Sequence, residues 1–189
     1  ELKDGRLLYV GRVLYNWEPS VSVEESSDDG VTWKRIGTVP VAPGDNIASY
    51  HEPHPVEAAD GTIVTVIREE KRNIMMQSES RDGGKTWSVP RQSGVWGCPP
   101  HLIRLHDGRI LFVYGHRRQP YGERACVSAD NGRTWSVDNP ITIAPALNGD
   151  LGYPASVELG DGSIFTVYYQ KDKPDEKTCL MGTLWRLKK

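Results

Sequence analysis

Glutamate, tyrosine and arginine residues recur at matching places in this 189-residue sequence. Four Asp-Gly pairs set the frame: Asp4-Gly5, Asp60-Gly61, Asp107-Gly108 and Asp161-Gly162. Eight residues before the aspartate stand Glu52, Pro99 and Tyr153; eight after it stand Arg12, Arg68, Gly115 and Tyr169. The third copy continues His116-Arg117-Arg118. A guanidinium grips a carboxylate through two parallel hydrogen bonds. A phenol with an ordinary pKa of about 10 is a poor nucleophile until a nearby carboxylate takes its proton. The set suits nucleophilic chemistry on an anionic substrate. Taken singly, each residue also has a plain reading as a strand cap or a surface charge.

These residues are positioned by a repeat of about 50 residues, the length of a four-stranded propeller blade. Each Asp-Gly pair reads as a hairpin turn between a strand A and an apolar strand B, such as Thr62 to Arg68 or Arg109 to Gly115. Strand C then runs into Ser-x-Asp-x-Gly-x-Thr-Trp, which occurs at Ser26 to Trp33, Ser80 to Trp87 and Ser128 to Trp135. In that turn a short acidic side chain bonds backbone N–H groups and glycine supplies a backbone shape other residues resist. Strand D follows. Strand direction then sorts the chain into two ends. The start of A and the end of B lie at one, and all the turns carrying Asp28, Asp82 and Asp130 lie at the other. Those aspartates are therefore expected to be structural.

The eight-residue motif is the Asp box, and a chain carrying three copies at blade spacing resembles the sialidase-like propellers. The resemblance implies an all-β fold of four-stranded antiparallel blades. It comprises one propeller domain or fragment over 1–189, with blades near 1–45, 46–95, 96–145 and 146–189. About four blades of a six-bladed ring are then present; a compact four-bladed ring and two copies joined edge to edge are the alternatives. Open sheet edges invite such self-association. The segment Glu52-Pro53-His54-Pro55-Val56-Glu57 with Arg68 is similar to the family's glutamate segment and its arginine, and Gly152-Tyr153-Pro154-Ala155-Ser156 to its nucleophile segment. The resemblance implies Tyr153 as nucleophile, Glu52 as its base, and Arg68 with Arg117 or Arg118 as carboxylate clamp. Arg12, His54 and His116 are further candidates for substrate binding. Proline follows Tyr153 where sialidases usually show serine. The wording Gly149-Asp150-Leu151-Gly152-Tyr153-Pro154 resembles bacterial sialidase-like proteins, for which a uronic acid is an alternative to a sialic acid.

Other readings are narrower. Formal charge −2 lacks the basic excess that draws a protein to nucleic acid, and no run approaches the ~20 apolar residues of a membrane span. His51 and His54 flank Glu52, but no third ligand stands out, so neither metal nor cofactor is expected. Asp45 or Asp150 is the remaining candidate for a general acid if the chain is complete; otherwise both read as turn residues. Trp17 and Trp96 read first as core or blade-interface residues and second as sugar platforms. The chain opens Glu1-Leu2-Lys3 without a signal peptide, while the resemblance implies a secreted or periplasmic protein. The functional expectation is an exo-glycoside hydrolase acting on an acidic sugar. A non-catalytic carbohydrate-binding propeller and a protein-binding scaffold stand as alternatives.

Overall fold

The computed structural model describes residues 1–15 and 17–187; Asn16, Lys188 and Lys189, the last two closing the final expected blade, lie outside them. It is all β, arranged as four small sheets of the β-propeller blade type. The first holds β1 (Leu7–Tyr15), β2 (Glu18–Ser26) and β3 (Lys34–Val39). The second holds β4 (Tyr50–Glu57), β5 (Ile63–Glu69), β6 (Ile74–Ser80) and β7 (Arg91–Trp96), preceded by a 3-10 turn over Ile47–Ser49. The third holds β8 (Pro100–Arg104), β9 (Ile110–His116), β10 (Gly122–Ser128) and β11 (Ile141–Pro145). The fourth holds β12 (Gly152–Glu158), β13 (Ile164–Gln170) and β14 (Cys179–Trp185).

The B strands begin one residue later than their sequences suggest. The Thr62 N–H donates to Asp60 Oδ1 at 3.0 Å, and the Arg109 N–H donates to Asp107 Oδ1 at 3.1 Å. Both residues still belong to the Asp-Gly turn. Pairing then runs Tyr50 with Glu69 and Ile63 with Ser80, so the start of β4 and the end of β5 share one end of the sheet. The Asp box sits at the other.

The chain forms two compact units, Glu1–Ser93 and Gly94–Lys189. The first closes on Val10, Val21, Val23, Val39, Tyr50, Ile67 and Met76. The second closes on Leu105, Leu111, Val113, Ala125 and Ile164. Alternation explains why: residues two apart on a strand share a face, and the inward face is apolar.

Each Asp box is closed by its own side chains. Asp82 accepts from the Thr86 N–H at 2.9 Å and the Thr86 hydroxyl at 2.7 Å, while Ser80 Oγ accepts from the Gly84 N–H at 2.9 Å. The Trp87 indole N–H returns to the Gly84 carbonyl at 2.9 Å. Asp28 with Thr32 and Asp130 with Thr134 repeat the pattern. The threonine bonds hold the Asp28 and Asp82 carboxyls down at about 2. Gly84 lies at φ +95°, and a Cβ there would stand 3.1 Å from Leu8 Cδ1 and 3.3 Å from Ile36 Cδ1. Gly84→Ala therefore combines backbone strain with crowding. It is expected to lower stability by about 1–3 kcal/mol, read as a lower urea midpoint at unchanged m-value, with ligand binding unaltered.

Candidate functional site

In the first unit, β4 carries one residue more than β5 can match. His51 pairs with Arg68 and His54 with Val66, which leaves Glu52 and Pro53 opposite a single residue. This is a β-bulge, a device that re-aims a side chain. Glu52 sits at φ +49°, a left-handed conformation that costs a non-glycine residue about 1–2 kcal/mol. Its carboxylate accepts from Arg68 Nη1 at 3.1 Å, and both side chains are half-buried. Arg12 Nη1 donates to His51 Nδ1 at 2.9 Å, and His51 Nε2 lies 3.2 Å from Glu70 Oε2. Because a guanidinium only donates, the Arg12 contact requires Nδ1 of His51 to be the accepting nitrogen. Two arginines and two carboxylates thus bracket the start of β4, with half-buried His54 just beyond the bulge.

The second unit repeats the device. Gly152 pairs with Tyr169 and Ala155 with Val167, so Tyr153 and Pro154 face one residue of β13. Tyr153 sits at φ +52° and is 53% exposed. Its ring centroid lies 6.0 Å from that of Tyr169. Arg117 Nη2 donates to the Tyr169 hydroxyl at 3.1 Å, while Arg117 Nε donates to the Leu151 carbonyl at 2.8 Å. Gly152, at φ +137°, makes room: a Cβ would stand 2.9 Å from Arg117 Nη2. Burial raises the Tyr169 phenol, and the Arg117 charge opposes that shift. In the third sheet the matching position is Pro99, just ahead of β8, with the Cys98 N–H donating to the Gly115 carbonyl at 2.9 Å. The two bulges coincide with the two reactive residue types.

The remaining candidates divide. The Arg118 guanidinium lies 4.4 Å over the Trp96 ring and donates through Nε to His116 Nε2 at 3.4 Å. His116 is only 6% exposed, and its Nδ1 lies 3.1 Å from the Pro120 carbonyl. His116 therefore braces Arg118 instead of facing a ligand, and Trp96 is a platform for that arginine. Trp17, expected in a core, is 92% exposed in the turn between β1 and β2. Asp45 accepts from the Tyr50 hydroxyl at 2.8 Å and from Arg72 at 2.7 Å, whereas Asp150 is exposed.

One residue escaped the sequence reading. Glu123 on β10 is 0% exposed. Burial pushes its carboxyl up to about 8, against the Arg117 charge and the Gly152 N–H, and neither oxygen completes a hydrogen bond. Its signal was period two: Glu123 shares a face with Ala125, which belongs to the second unit's core, and with Val127, which packs against that core.

The BNR repeat-like domain family model matches residues 1–166. Searching the curated proteins finds no match. Among solved structures, a protein of unknown function from Dyadobacter fermentans is 28% identical with a TM-score of 0.85, over 98% of this chain and 51% of that one. The GH93 α-L-arabinofuranosidase of Fusarium graminearum, solved with arabinobiose, is 18% identical with a TM-score of 0.70, over 98% and 60%. The NanB sialidase of Streptococcus pneumoniae is 23% identical with a TM-score of 0.69, over 98% and 30%. The chain thus spans about half the length of the first of these and less than two thirds of the others.

Proposed function

We propose that this chain, which belongs to the BNR repeat-like domain family, acts as an exo-glycoside hydrolase on an acidic sugar, a sialic or uronic acid. One observation carries the reading. Tyr153 stands exposed on a strained bulge, and the tyrosine stacked near it is hydrogen-bonded by a fixed guanidinium, that of Arg117. A guanidinium beside an exposed phenol favours an anionic ligand. A carboxylate nucleophile would be repelled by such a substrate, whereas a phenol is not.

The assigned roles follow. The Tyr153 oxygen attacks the anomeric carbon as the glycosidic C–O bond breaks, and a carboxylate, the role the sequence resemblance gives to Glu52, takes the phenol proton. The leaving oxygen needs a proton from an acid, for which exposed Asp150 is better suited than Asp45, already bonded by Tyr50 and Arg72. Within the second unit Arg117 holds the substrate carboxylate, with Arg118 as a flanking contact; Arg12, Arg68 and His54 remain the candidates that the first unit offers. Water then cleaves the tyrosyl intermediate with retention.

The glycosidase neighbours support the general class, and the arginines argue for the acidic branch. An aryl sialoside, an aryl uronide and an aryl arabinofuranoside separate the options. Release of the phenol is expected from one of the two acidic glycosides and not from the arabinofuranoside. Cleavage of the arabinofuranoside alone would overturn the assignment. A second reading, a sugar-binding module without catalysis, draws on the Arg68 contact that already engages Glu52. It predicts heat of binding by calorimetry with no phenol released from any of the three.

A further inference from the structure

Glu123 is a buried acid for which neither the fold nor the mechanism above has a use. It lies on β10 between Gly115 of β9 and Ala144 of β11, is 0% exposed, and leaves both carboxyl oxygens without a hydrogen-bond partner. Burying a carboxylate without partners is costly, and a propeller strand tolerates an apolar residue at such a place more readily. Glu123 pairs with Gly115, where a Cβ would stand 3.0 Å from the Gly152 Cα, and a Cβ on Gly152 would stand 2.9 Å from Arg117 Nη2, so its face of the sheet packs on the Tyr153 rim; the Arg117 charge and the Gly152 N–H both act on its carboxyl. Tyr169 on β13 senses Glu123 in turn, together with Asp150 ahead of β12 and Cys98 ahead of β8. Arg117 itself is held by two neutral oxygens, the Leu151 carbonyl and the Tyr169 hydroxyl, so among the described residues no ionised group compensates its charge through a hydrogen bond.

We propose that Glu123 is a positioning residue for Arg117: while it carries its proton the guanidinium charge is available to an anionic ligand, and once ionised it competes with that ligand. The inference rests on the reading of Arg117 as a carboxylate clamp. It makes anion recognition at this rim sensitive to pH through a group that never touches the substrate. A sugar carboxylate is ionised throughout the neutral and alkaline range, and a guanidinium does not deprotonate in proteins, so neither kind of group supplies such a dependence.

The test uses free N-acetylneuraminic acid and glucuronic acid as probes, titrated calorimetrically between pH 6 and 10 into the wild-type protein, Glu123→Gln and Arg117→Gln. Wild-type affinity is expected to fall about tenfold between pH 7 and 9, and the Glu123→Gln profile to stay flat at the acid-side affinity. Equal pH profiles for wild type and Glu123→Gln would overturn the proposal. Binding that survives Arg117→Gln unchanged would instead overturn the clamp. Should neither sugar bind, a ligand-free readout decides. The carboxyl 13C signal missing from Glu123→Gln is expected to titrate near pH 8 in the wild type and to move alkaline in Arg117→Gln. A signal that titrates in the ordinary glutamate range, or that ignores Arg117→Gln, would sink the proposal.

Discussion

Replacing Tyr153 with phenylalanine is expected to lower turnover of the cleaved aryl glycoside by about a thousandfold or more, while the affinity for the free sugar acid stays within about tenfold. The ring and its approach to Tyr169, 6.0 Å between centroids, are kept. So is the bulge, because its register and the neighbouring Gly152 do not depend on the hydroxyl. Only the nucleophilic oxygen is lost. A carbohydrate-binding module would show the same retained affinity but no activity in the parent protein, so the pair of measurements separates the two readings. Unchanged turnover in Tyr153→Phe would remove Tyr153 from the mechanism.

Glu123→Gln should have the largest effect on stability, and the effect should depend on pH. In an unfolded chain a glutamate titrates near 4.3; in the folded protein burial pushes Glu123 up to about 8, against Arg117 and the Gly152 N–H. Between those values the native state keeps a proton that the unfolded chain has released. Stability contributed by this group is therefore present in full below about pH 4.3, falls as pH rises through the window, and levels off above about 8. The accumulated loss is on the order of 5 kcal/mol, or about 10–20 °C in melting temperature for a chain of this size. Asp28 and Asp82, held at about 2 by their threonine bonds, act in the opposite sense and only toward the acid end. The melting temperature of Glu123→Gln minus that of the wild type should grow from pH 4.5 to 8 and then hold constant. A difference that does not change with pH would mean that Glu123 is already ionised in the native protein.

Much of the architecture was legible because its turns are written in short motifs. Ser-x-Asp-x-Gly-x-Thr-Trp names every hydrogen-bonding group that closes the box, and the Asp-Gly pairs mark where A gives way to B. The final strand lies at Cys179–Trp185. The strained backbone at Glu52 and Tyr153 was not legible. Both precede proline, which pushes a residue toward extended conformations, so positive φ runs against the local rule. Surroundings that force a residue against its preference commonly mark a functional place. Glu123 was missed for a different reason. Alternation could place it on an inward face, but the field of Arg117 and the exclusion of water arise only when β9, β10 and β12 come together. His116 closes a B strand like a rim residue, and its ring is buried and accepts from Arg118 Nε, a placement that the strand pattern did not reveal.

Trapping the glycosyl enzyme tests the nucleophile most directly. A fluorinated glycosyl fluoride of the cleaved acidic sugar, incubated with the protein and followed by mass spectrometry of its peptides, should leave one sugar attached to the peptide that contains Tyr153, and none in Tyr153→Phe. Attachment to Glu52 or another carboxylate, or turnover of the parent substrate with no adduct at any time, would contradict the account.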